Sequence, residues 1–260
     1  REEHIQHAAR ADRAANVTQQ KEIHTKFGYK SCALLQLDYF LPSQFSVVEP
    51  MHNLFLGTAK RFFVHWVEND VLSKADLETI SQRLQEFNVP TDIGRLPTNI
   101  ATNYSSFTAD EWKNWVLLYS LYALQGLLPK RHMLMWQKFV LACREICQPT
   151  MRKIRLGIAD RLFMQVNIMA EELYGAAFLT PNMHLHGHLR ETIERYGSIY
   201  GFWAFSFERF NGFLSDFPTN KRSVEIQIMR KFQQVGFAAD LQFNANLGEF
   251  NNLYTCLLYT

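Results

Sequence analysis

From Met51 onward the apolar residues recur at helical spacing. Leu54, Phe55, Ala59, Phe62, Phe63 and Trp66 fall on one face, which predicts a buried helix over 51–68. Just before it, Phe45, Val47 and Val48 are β-formers behind the turn-like Leu41-Pro42-Ser43-Gln44, so a short strand is expected at 45–49. Glu49 would then end the strand. Pro50 suits the first helical turn, where a missing N–H costs nothing. The pattern holds a carboxylate at a strand end, facing a helix N-terminus, with His52 one turn along. Its simplest role is to offset the helix dipole by about a few tenths of a kcal/mol.

Elsewhere the pattern is mostly helical. Residues 1–27 are polar, with Ile5, Ala8, Ala9 and Ile23 thinly spread, and read as exposed helix up to a turn at Gly28. Ser73 is an N-cap opening a helix to about Phe87. A loop follows over 88–104, rich in Pro, Gly and Asn. Thr108 starts a capping box (Thr-Ala-Asp-Glu) for a helix that buries Trp112, Trp115, Val116, Tyr119 and Tyr122. Pro129 ends that run, and helices are expected over 132–147 and 151–174. Their Trp and Tyr rows are core rather than a stacking platform for bases.

Composition narrows the class without naming a function. The 260 residues are 47 % hydrophobic and 14 % aromatic, enough for a substantial core in one large domain or two small ones. A net charge of +2 does not announce a nucleic-acid surface. Cys32, Cys143, Cys147 and Cys256 make neither a disulfide nor a zinc pattern; Cys143 and Cys147, four apart in a helical run, are expected as buried core thiols, and a reducing compartment is implied. No signal peptide or membrane-spanning run is visible. Both ends read as cuts: Arg1 opens in mid-helix style, and residues 256–260 resemble a translated adapter.

Three stretches carry candidate chemistry. In Asn182-Met183-His184-Leu185-His186-Gly187-His188, the pair His184 and His188 has the i, i+4 spacing of many zinc pairs, though no acid or Cys close in sequence completes a site. Histidines packed in an interior or at a rim are the simpler reading. The run from Tyr200 to Leu214 is apolar nearly all round if helical, which predicts a buried helix carrying Glu208. A buried carboxylate needs a partner, a proton or a metal. Lys221, Arg222, Arg230 and Lys231 surround a helix expected at 223–234 and could meet phosphates, or form only a solvated face.

Five pieces occur in order: Glu-Pro-Met-His-Asn-Leu-Phe-Leu-Gly (49–57), Asp-Ile-Gly-Arg-Leu-Pro-Thr-Asn (92–99), Phe-Thr-Ala-Asp-Glu-Trp-Lys-Asn-Trp (107–115), Thr-Pro-Asn-Met-His-Leu-His-Gly-His-Leu (180–189) and Phe-Ser-Phe-Glu-Arg-Phe-Asn-Gly (205–212). Together they resemble the transposase of CACTA (En/Spm-type) cut-and-paste DNA elements, over about residues 1–235. The resemblance implies a DDE-type, RNase H-like α/β catalytic domain interrupted by a large all-helical insertion, mostly α in the part present. It divides the chain into a partial core (1–69), the insertion (70–180), a return to the core with the third-acid helix (181–235) and a poorly defined tail (236–260).

The resemblance also implies two Mg²⁺ or Mn²⁺ ions held by carboxylates, with Glu49 and Glu208 at the second- and third-acid positions and His52 shaping the site. Double-stranded DNA would be the partner, with self-association a further one, in the nucleus; no membrane and no small-molecule substrate are implied. Two departures stand out. The family pattern has Asp where this chain has Glu49, and the first Asp would fall upstream of Arg1. The expectation is therefore a transposase fragment, inactive as it stands. The alternative is a non-catalytic, domesticated or decayed transposase-derived module that binds DNA or protein.

Overall fold

A computed structural model describes residues 2–28, 30–87, 93 and 99–243. Among them the chain is mostly helical and contains no strand. Helices α1 (Glu2–Asp12) and α2 (Val17–Phe27) come first, and α2 closes on Gly28, whose φ of 72° is the left-handed conformation that glycine adopts cheaply. Next is α3, which starts as a π-wound segment, Met51–Ala59, and continues as Lys60–Glu68. Ser73 and Thr108 both make the expected capping boxes, for α4 (Lys74–Gln85) and for α5. The latter runs through Ala109–Asn114, a π-wound Trp115–Tyr119 and Ser120–Ala123.

Two long helices follow, α6 (Lys130–Ile146) and α7 (Lys153–Tyr174). They are antiparallel, as their cross-links show: Arg131 to Glu172 at one end, Lys138 to Gln165 in the middle, Arg155 to Glu145 at the other. Pro181 takes the first turn of α8 (Pro181–His186). Then come α9 (Leu189–Tyr196), α10 (Phe205–Ser215) and α11 (Val224–Phe243).

The core is organised around α3. Its face at Phe62 meets Trp136, Phe139 and Phe178, with ring centroids 5.5–6.2 Å apart, while Phe63 meets Tyr104, Trp112 and Trp115 at 5.4–5.8 Å. Both phenylalanines are fully buried, so truncating either to alanine costs about 3–5 kcal/mol in lost transfer energy and cavity. Among the polar tips inside this core, those of Trp66 and Trp136 are paired, while Trp112 Nε1, Trp115 Nε1 and Tyr119 Oη are buried without a partner. Trp66 Nε1 donates to Tyr174 Oη at 2.7 Å, and Trp136 Nε1 donates to Ser120 Oγ at 2.9 Å. Cys143 lies in this core, and burial pushes its thiol pKa well above the ordinary value.

Three expectations are corrected. Residues 45–49 do not form a strand: Pro42–Phe45 is a single helical turn started by Pro42, and the extended residues after it have no neighbouring strand to pair with. The aromatic helix α10 forms, but none of its residues is buried, and Phe207 is 65 % exposed. Only its entry, Trp203 and Phe205, packs on the core. The last helix runs to Phe243, past the expected stop at Gln234. Most of the 92–99 piece and Cys256 lie outside the described residues.

Candidate functional site

Glu49 closes a corner that joins two helix starts. Its Oε1 accepts from Met51 N–H at 2.8 Å and from Ala204 N–H at 2.7 Å; its Oε2 accepts from His52 N–H at 2.8 Å and from the His52 ring Nδ1 at 2.7 Å. Met51 and His52 open α3, and Ala204 caps α10, so the positive ends of both helices meet one carboxylate. The acid does offset a helix dipole, as the simplest reading had it, and it also clamps a second helix from a distant part of the chain.

That clamp brings Glu208 in. His52 Nδ1 must carry the proton, because a carboxylate only accepts, and this turns Nε2 outward. His52 Nε2 lies 3.9 Å from Glu208 Oε1. Glu49, His52 and Glu208 therefore form one acid–imidazole–acid row, although 159 residues separate its ends. Glu208 is not the buried carboxylate the sequence suggested; its side chain is 53 % exposed, and that of His52 55 %.

A cleft of ≈ 730 Å³ opens beside the row. Glu49 and His52 line one side, and His184, His188, Glu191 and Arg195 line the other. Asn182 fastens the two sides: its backbone carbonyl accepts from Asn53 Nδ2 at 2.9 Å, and its side chain lies against Gly57. The close approach needs a glycine. A Cβ there would collide with the Asn182 amide and stand 2.7 Å from His52 O. Tyr196 Oη donates to Gln44 O at 2.6 Å and holds the segment leading to Glu49.

The middle histidine of the 184–188 stretch is structural. His186 is buried, stacked on Phe163, and its Nε2 lies 2.8 Å from Asn167 Oδ1. Asn167 Nδ2 donates to Met183 O, which fixes the amide and makes His186 Nε2 the donor. The other nitrogen is buried without a partner, and burial lowers the pKa to about 3. His184 and His188 stay at the surface with their rings 5.0 Å apart. Lys221, Arg222 and Arg230 are exposed and Lys231 half-exposed, on and just before α11; none of the four lines the cleft.

As folded, the corner does not fit the divalent ions that the resemblance implies. Four donors occupy the four lone-pair positions of the Glu49 carboxylate, so it has none left for a metal. Among the described residues, no group of three or more His, Cys, Asp or Glu is arranged to hold one. What the arrangement can do is fix an imidazole between two carboxylates at the lip of a polar cleft. Sequence reasoning missed the Ala204 N–H, a backbone group that no side-chain pattern betrays. It also missed Glu191, although that acid stands one turn after His188.

Comparison with protein-family models, with curated proteins and with solved structures finds no match for this chain.

Proposed function

We propose that the chain carries the second- and third-acid corner of a DDE-type, RNase H-like transposase domain of the CACTA kind, a part of cut-and-paste DNA transposition. The observation that supports this is the convergence of Glu49, His52 and Glu208, the three positions that the family resemblance singles out. The surroundings agree with it. Four of the five family-like pieces meet around α3: Asn182 against Gly57, Phe205 against Phe55, and Trp112 and Trp115 against Phe63. In this reading α4–α7 are the helical insertion, and Lys221, Arg222, Arg230 and Lys231 face the phosphates of double-stranded DNA in a nuclear setting.

The chain's own residues act here as positioners. Three backbone N–H groups hold Glu49, Glu49 holds His52 in one tautomer, and the Ala204 clamp sets where α10 presents Glu208. Because Glu49 is saturated, the corner is shut as folded, and phosphodiester transfer is not available to it in this state. That saturation favours a second reading, a non-catalytic transposase-derived module that binds DNA or protein.

Supercoiled plasmid and Mn²⁺, offered to the full-length protein that supplies the first Asp, separate the two. A transposase corner that opens on DNA retains the plasmid in a mobility shift and leaves Mn²⁺-dependent nicks, reduced at least about 100-fold in Glu208→Gln. Retention without nicks, or nicks that survive Glu208→Gln, removes the catalytic reading.

A further inference from the structure

His184 and His188 are left unused by that function, yet both line the cleft and both are exposed. Their ring centroids are 5.0 Å apart with the planes at 71°. Two imidazoles sharing one tetrahedral ion, each with a metal–nitrogen bond of about 2.0–2.1 Å, have centroids about 5 Å apart. The rings pack edge to face, and that separation is one a shared metal also accepts. The support beneath them is rigid, because His186, between them in sequence, is buried on Phe163 and bonded to Asn167.

An acid completes the arrangement from behind. Glu191 Oε1 faces His188 Nδ1 at 3.6 Å, longer than a hydrogen bond but on the side that turns Nε2 of that ring away. We propose that His184 and His188 bind one divalent ion of the zinc class at the rim of the cleft, with solvent filling the remaining positions and Glu191 acting as a positioning residue. Imidazole pairs select zinc, nickel or copper over magnesium, so this site is chemically distinct from the oxygen-rich centre of the resemblance. It stands whether or not the transposase reading does.

Calorimetric titration of Zn²⁺ into the chelator-stripped full chain at neutral pH tests it. Wild type should take up one equivalent that is lost in both His184→Ala and His188→Ala, and Glu191→Gln should weaken that equivalent roughly tenfold. Both histidines are exposed, so the variants should keep the wild-type circular dichroism and melting temperature. If a variant does not, the Glu191→Gln affinity and the visible absorption of bound Co²⁺, which reports imidazole coordination, serve instead. Zinc uptake unchanged in the double variant, or no uptake by wild type, overturns the proposal.

Discussion

At the scale of single residues, one chain of paired polar tips and one glycine stand out. Trp66 Nε1 donates to Tyr174 Oη, which lies 2.9 Å from His132 Nδ1. While accepting from Trp66, the tyrosine hydroxyl still has its own proton to give to a bare Nδ1, an arrangement that suits a neutral His132. Burial, then the charges of His65 and Arg131, hold its pKa below 6.5; burial and Arg61 do the same for His65. A histidine with a lowered folded pKa binds its proton more readily when unfolded, so its stability contribution is full above about pH 6.5 and is lost as pH falls below. The urea midpoint should drop between pH 7 and 5, with buried His186 contributing most, and His132→Gln should flatten that slope in part. A midpoint that rises on acidification would contradict the assignment.

Gly57 makes the second residue-scale prediction. Gly57→Ala must push Asn182 or the His52 carbonyl aside and should destabilise by about 1–3 kcal/mol in urea unfolding. Nothing in local sequence marks this glycine as essential. The need comes from α8, 125 residues further on, and so is invisible to spacing arguments.

At the scale of elements, the legible features were those written in short-range chemistry. The Ser73 and Thr108 boxes and the face of α3 follow from contacts within one or two turns. The strand at 45–49 and the burial of α10 were not legible, for a common reason. A strand needs a neighbour and an apolar helix needs a cover, and the sequence of one segment specifies neither. The exposed ring of Phe207 is thus energetically idle in this fold. Phe207→Ser should change stability by less than about 0.5 kcal/mol and raise solubility. A loss near that of a core phenylalanine would mean that α10 packs elsewhere. Glu49 behaves oppositely, because it unites two elements: Glu49→Ala leaves the N–H groups of Met51, His52 and Ala204 without their acceptor and should cost about 1–3 kcal/mol.

At the scale of the whole molecule, the candidate site was half readable. Glu49, His52 and Glu208 were each reachable from sequence, by an acid before a helix and an acid in an aromatic run. Their meeting was not, since it depends on the Ala204 N–H reaching Glu49 across the molecule. The longer side chain of Glu49 matters here. One methylene beyond Asp lets a single carboxylate hold its own helix start and that of α10, and the same reach saturates it. On the proposed reading, this row becomes a metal corner only when the four donors on Glu49 give way. Titration of Mn²⁺ into the ¹⁵N-labelled full chain tests it, read as paramagnetic broadening of amide signals. Broadening confined to residues 49–53 and 204–209 is expected, appearing only at high Mn²⁺ once the donors on Glu49 have given way, and disappearing in Glu208→Gln. Broadening that spares those residues, or that persists in Glu208→Gln, would contradict it.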